Sequence, residues 1–167
     1  MSALLDSLAS GFDGDARAQS MLDAVLRDGL PGPRSEAWQY TALRALERRT
    51  FSHPDGGFSA FDPALIAGIP APRLVFVNGV HDPAQSDVSA LPAGIELGVP
   101  QAIASVPNTS PGTHDRSDEV FVRLNEALAT TGVMLRVDAG IAVDTLVHLV
   151  FIGMPAGSDL AGHLRHD

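Results

Sequence analysis

From Asp15 to Asp28 apolar residues recur at helical spacing: Ala16, Ala18, Met21, Leu22, Val25 and Leu26. That period predicts a helix, and Gly29 is a natural stop. Leu30-Pro31-Gly32-Pro33 reads as a stiff connector. A second helix is predicted from about Ser35 to Arg49, with Thr41 placed to cap a separate turn that begins at Ala42. Phe51 to Pro72 is loop-like. One short helix is signalled inside it by Asp62 as N-cap, Pro63 at the first position and Gly68 after Ala67.

The pattern then becomes extended. Arg73 to Val77 is a compact β run, and Asn78-Gly79 after it is a strong hairpin signal, with Val80 to Pro83 returning. Ile95 to Val99 alternates like a strand, and residues 104–116, rich in Pro, Ser and Thr, read as a loop. Ser117 to Thr131 is the clearest helix: Val120, Phe121, Leu124, Ala127 and Leu128 share a side, acidic Asp118 and Glu119 occupy the first turn, and Gly132 follows. Val133 to Val137, Ile141 to Val143 and Leu146 to Ile152 are three further β runs. A corner at Ala139-Gly140 and no intervening helix predict coils of a stacked sheet or β-helix. Such coils bury their faces only against neighbours. The expectation is therefore the leading part of a longer protein, able to self-associate through an open β edge.

Composition narrows the functions. A chain of 167 residues with 45% hydrophobic content suits one domain, or a small domain and part of another. Twenty acidic against 11 basic residues give a net charge of −9, which disfavours nucleic acid and anionic membrane as partners. Cysteine is absent, so disulfides and thiolate ligands are excluded from this segment. Residues 1–9 carry no signal-peptide pattern, and the most apolar window, 132–153, contains Arg136, Asp138, Asp144 and His148. A soluble, cytoplasmic chain is expected.

The candidate functional residues begin with Trp38 and Tyr40, the only Trp and Tyr, which stand beside Arg34 and Glu36. On the predicted helix Trp38 falls on the apolar stripe with Ala42, Leu43, Ala45 and Leu46, as a core anchor with Arg34 placed for a cation–π contact. Tyr40 falls among Glu36, Arg44 and Glu47. Glu36 and Tyr40 either tie the connector to the helix by hydrogen bonds or belong to a partner-facing surface, and all four residues are structural or interaction candidates. His163 and His166 have a spacing that can ligate a metal, weakened by a terminal position expected to fray. His148 reads as a satisfied histidine of an apolar strand; His81-Asp82 and His114-Asp115 read as loop residues. No G-x-S-x-G elbow and no Walker A motif is present, and no catalytic residue is assigned.

Three segments in order resemble the SufD family of the SUF iron–sulfur cluster assembly machinery. They are Arg34-x-Glu36-x-Trp38-Gln39-Tyr40-Thr41; Leu74-Val75-Phe76-Val77-Asn78-Gly79 followed by Ser86 to Pro92; and Leu124-Asn125-Glu126-Ala127-Leu128 followed by Gly132-Val133-x-Leu135-x-Val137-x-x-Gly140. Gln39 stands where many members have a basic residue. The SufB paralogues lack the Trp-x-Tyr-Thr segment. The resemblance implies an α+β chain: an N-terminal helical domain followed by the first coils of a right-handed parallel β-helix, here truncated. It divides the chain into a helical region at 1–68, a hairpin and loop connector at 69–116, and a helix with the start of the β-helix at 117–167. It implies a non-enzymatic scaffold whose full-length form pairs with SufB and binds the SufC ATPase. An iron–sulfur cluster is implied for the full complex and no cofactor for this segment. Some family members carry the legacy label of ABC transporter permease, which the absence of a membrane span contradicts. The competing expectations are a small metal-dependent enzyme using its scattered His and Asp residues, or a β-helical acyltransferase, and a generic protein-interaction module.

Overall fold

A computed structural model describes residues 2–56, 61–99 and 119–166. Its helical part is built on local rules. Asp15 caps helix α2 (Ala16–Asp28) by accepting the Ala18 N–H at 2.8 Å, and Gly29, with φ 73°, ends it by donating its N–H back to Val25 O. Leu22 and Val25 of α2 meet Val120, Leu124, Ala127 and Leu128 of α4 (Val120–Leu128). Helix α1 (Ala3–Ala9), which the apolar pattern did not predict, completes this core with Leu4, Leu5 and Leu8. Buried Arg123 of α4 donates to Asp28 at 2.9 Å, so the end of α2 is locked to α4 by charge as well as by packing. The expected start of this last helix at Ser117 and Asp118, the 104–116 loop, and His114-Asp115 lie outside the described residues.

The helix expected over Ser35–Arg49 is broken. A 3₁₀ turn at Glu36–Trp38 and a short α3 (Arg44–Glu47) stand in its place, and neither has a buried residue. Neither Ser35 nor Leu43 makes a side-chain capping bond. A helix this short draws its stability from tertiary packing of its apolar face. Here only Leu46 reaches the helical core. The Asp62 signal does produce a helical turn, Pro63–Ile66, with Asp62 accepting from the Ala64 N–H at 2.9 Å; it is a 3₁₀ turn.

Strands β1 (Arg73–Val77) and β2 (Val80–His81) form the expected hairpin, pairing Val77 with Val80 across a two-residue loop. Asn78 and Gly79 both have positive φ, 50° and 86°, the backbone that such a tight turn requires. β5 (His148–Ile152) lies parallel to β1 in the register Arg73 to His148 through Val77 to Ile152. The second sheet has the order β3 (Ile95–Gly98), β4 (Thr131–Val137), β6 (Leu164–His166), with β3 antiparallel and β6 parallel to β4.

This arrangement corrects the β-helix expectation, although α+β holds. The described residues form two small mixed sheets of three strands each, with no parallel β-helix. The successive strands β4 and β5 do not coil one onto the next. β4 pairs with β3 and β6, while β5 reaches back to β1. Ile141–Val143, expected as a strand, is irregular. Apolar runs separated by tight corners specify extended chain but leave the choice of partner to distant residues.

β1 is buried on both faces. Val75 and Val77 pack on Phe61 and Ile66, while Leu74 and Phe76 face Val133 of β4. The chain after β5 then returns to the helical side. Leu160 bridges to Ser52 in parallel, Ser52 N–H donates to Asp159 O at 2.9 Å, and Arg49 Nε donates to the Asp159 carboxylate at 3.0 Å. Asn125 of α4 holds the Leu164 carbonyl at 2.9 Å.

Candidate functional site: a histidine cleft

Where this returning segment crosses the hairpin, a cleft of about 800 Å³ opens between the helical core and the sheets. Its rim is made by Gly11–Asp15 before α2, the end of α4, His53–Gly56, the turn of the hairpin, and Ala161–His163. The backbones of Gly79 and Gly162 touch: a Cβ on Gly79 would lie 3.1 Å from Gly162 Cα, and one on Gly162 would lie 3.3 Å from Asn78 O. Side chains at either position would push the hairpin away from the segment carrying His163. Gly132 is tighter still, since a Cβ there would collide with the Arg165 carbonyl and unseat β6.

Three histidines reach the cleft. His53 follows the Ser52 bridge, and its Nε2 lies 2.9 Å from Leu8 O. A carbonyl only accepts, so that nitrogen carries the proton and Nδ1 keeps its lone pair. His163 comes from the opposite strand of the bridge, with its ring centre 6.4 Å from that of His53. Its Nε2 is buried without a hydrogen-bond partner among the described residues. Burial, reinforced by neighbouring His53, pushes the His163 pKa down to about 4. His81, at the end of β2, packs its ring on Phe76 at 5.5 Å. Burial lowers its pKa, opposed in part by the charge of Asp82. Its Nε2 lies 3.1 Å from Ser86 Oγ.

The Ser86–His81 pair is turned against nucleophilic chemistry. Ser86 Oγ donates its proton to Asp82 O at 2.7 Å and accepts the Val75 N–H at 2.9 Å. The hydroxyl proton therefore points away from the imidazole, so His81 Nε2 is a donor rather than a base. The contact ties the Asp82–Ser86 turn to β1 and β2.

The residues singled out by composition fall elsewhere. Arg34 and Glu36 are exposed, Tyr40 is 94% exposed, and none of these or Trp38 lines the cleft. Trp38 is half-buried, with its ring 5.4 Å from that of Phe121 on α4. It clips the connector to the helical core without entering it. His163 and His166 part company. His163 faces His53, whereas His166 lies edge-on to Phe76 at 6.5 Å and Phe151 at 5.8 Å. His166 lies in β6, which is paired along its length with β4, and His163 immediately precedes that strand. His148, expected to be satisfied, keeps a buried Nδ1 with no partner among the described residues. Among those residues no group of three or more His, Cys, Asp or Glu is placed to hold a metal ion, and no helix is long and apolar enough to cross a membrane. The pairing of His53 with His163, 110 positions apart, has no signature along the chain.

No protein-family model matches the chain. Two curated relatives do. The chain is 32% identical over 133 residues, 79% of its length, to the iron-sulfur cluster assembly protein SufD of Escherichia coli (strain K12). It is 29% identical over 132 residues, 74% of its length, to an iron-sulfur cluster assembly SufBD family protein of Synechocystis sp. (strain PCC 6803). The chain spans about 30% of the length of these relatives, 30% of the first and 29% of the second.

Proposed function

We propose that this SufBD-like chain serves iron–sulfur cluster assembly as a non-catalytic scaffold component in the cytoplasm, acting beside a SufB-type partner and a SufC-type ATPase. The observation that carries the reading is the 32% identity to SufD over 133 residues. The second relative, from a different organism, supports the same assignment over a similar share of the chain. Beside the cleft, the Ser86–His81 pair is oriented as a structural tie. In this reading iron and sulfide are cargo of the assembled complex. No residue of this segment is assigned to carry the nascent cluster.

A scaffold acts by contact, so the test is physical association. The natural gene product and residues 1–167 alone are each tagged and co-expressed with SufB and SufC of the same genome. The expected result is that the gene product retains both partners after affinity capture and that residues 1–167 do not retain SufC. Failure of the gene product to capture SufB and SufC would overturn the scaffold reading. Retention of SufC by residues 1–167 would place the ATPase contact in this segment.

A further inference from the structure

We propose that Asn78 is a site of spontaneous covalent modification, deamidation to aspartyl and isoaspartyl forms, which the folded hairpin turn holds off and which locks the hairpin open once it has occurred. The chain has three asparagines, and only Asn78 precedes a glycine. Glycine leaves its own nitrogen unshielded, so close approach to the preceding side chain is easiest at this pair. Solvent base removes the Gly79 N–H proton and the nitrogen attacks Asn78 Cγ. A C–N bond closes a five-membered succinimide ring, and ammonia leaves. Water then adds to one ring carbonyl and breaks its bond to the ring nitrogen. Opening at Cγ gives aspartate. Opening at the main-chain carbonyl gives isoaspartate, whose backbone runs through Cβ and Cγ and is one carbon longer.

The fold opposes the first step. Positive φ at both residues, and the pairing of Val77 with Val80 around them, make Asn78-Gly79 a type I′ turn. In that turn ψ of the first residue is about +30°. At the tetrahedral Cα this sets Gly79 N roughly opposite Cβ, turned away from the carbon it must attack, whereas ring closure needs it eclipsed with Cβ. Rotating ψ that far carries Gly79 out of the turn. Two bonds to the end of β5 resist the rotation: Asn78 N–H donates to Ile152 O at 2.8 Å, and Met154 N–H donates to Asn78 Oδ1 at 2.7 Å. The close contact of Gly79 with Gly162 resists it too. Both turn residues are only half-buried, so water and base reach them once the turn opens. Aspartate keeps an oxygen for the Met154 N–H. Isoaspartate adds a main-chain carbon to a loop that spans two residues, and the strands no longer close in register.

The test incubates the whole chain at pH 8 in native buffer and in concentrated urea, with conversion followed by peptide mass mapping. In urea, Asn78 should convert ahead of Asn108 and Asn125. In native buffer its conversion should be slower by about 10-fold or more, because the reaction runs only through the open fraction of the turn. This comparison needs no variant. The isoaspartyl chain is then isolated and returned to native buffer beside Asn78→Asp. Hydrogen exchange of the Asp82 N–H, which bonds Val75 O at 2.8 Å across the hairpin, should be fast in the isoaspartyl chain and slow in Asn78→Asp. Equal conversion in native buffer and urea, or no lead of Asn78 in urea, would overturn the guarded site. Slow Asp82 exchange in the isoaspartyl chain would overturn the lock.

Discussion

The helices α2 and α4 enclose side chains such as Leu124, 1% exposed, while the strand face around β5 leaves Phe151 54% and Leu146 77% exposed. Both regions carry apolar runs, yet only one closes on itself. In the helical core the apolar stripes face each other, and the Arg123–Asp28 pair seals the end. Between the sheets, Leu74 and Phe76 are sealed by Val133, but the same layer runs on into solvent. Leu149 and Phe151 extend it in register on one sheet, and Leu135 and Val137 extend it on the other. Apolar content therefore does not indicate where the stability of this chain resides. Opposed apolar surface does.

That contrast is sharpest for a deletion in the closed half. Leu124→Ala should destabilise the chain by about 3–4 kcal/mol, the range for a fully buried leucine that leaves a cavity. Chemical denaturation should show the loss as a lower midpoint at unchanged slope. A loss below about 1 kcal/mol would mean the helical core is not the stable half.

The junction between the halves should respond to acid through His163. Its folded pKa, about 4, lies below its ordinary value of 6.5, so the unfolded chain binds the proton more readily. Stability from this group is complete above about pH 6.5 and is lost as pH falls toward about 4. With allowance for its partial exposure, the loss is on the order of 2 kcal/mol. Denaturation of wild type and His163→Gln at pH 7 and pH 4.5 isolates it. The variant should lose less stability than wild type over that interval, and parallel losses would remove His163 from the account.

The smallest effect belongs to the open face. Leu146→Ser removes a side chain that is 77% exposed and should change stability by less than about 0.5 kcal/mol. Light scattering at high concentration should show reduced self-association, because an exposed apolar patch loses area. A large fall in melting temperature would show that the face is closed.

Features that depend on neighbours within a few residues were legible along the chain. Asp15 and Gly29 bound α2 where the periodicity placed it, Asp62 starts its turn, and Asn78-Gly79 makes the hairpin. The stretch 35–49 shows the limit of that logic. Its helical stripe is real, but only Leu46 finds the core, so the helix does not form and Trp38 becomes a clip on Phe121. The candidate site was less legible. His163 stood out for its spacing to His166, yet the structure gives it a different partner, His53, and sends His166 to two phenylalanines.

By itself the sequence determined the caps at Asp15 and Asp62, the tight turn at Asn78-Gly79, most of the extended runs and the likeness to SufBD proteins, because each is written in residue types within a short span or in their order. Tertiary structure alone decided that β5 pairs with β1 and β6 with β4, and that the returning segment brings His163 to His53. Strand partners are chosen by burial and register between residues far apart in the chain. A histidine's chemistry is set by what surrounds its two nitrogens, which no local pattern records.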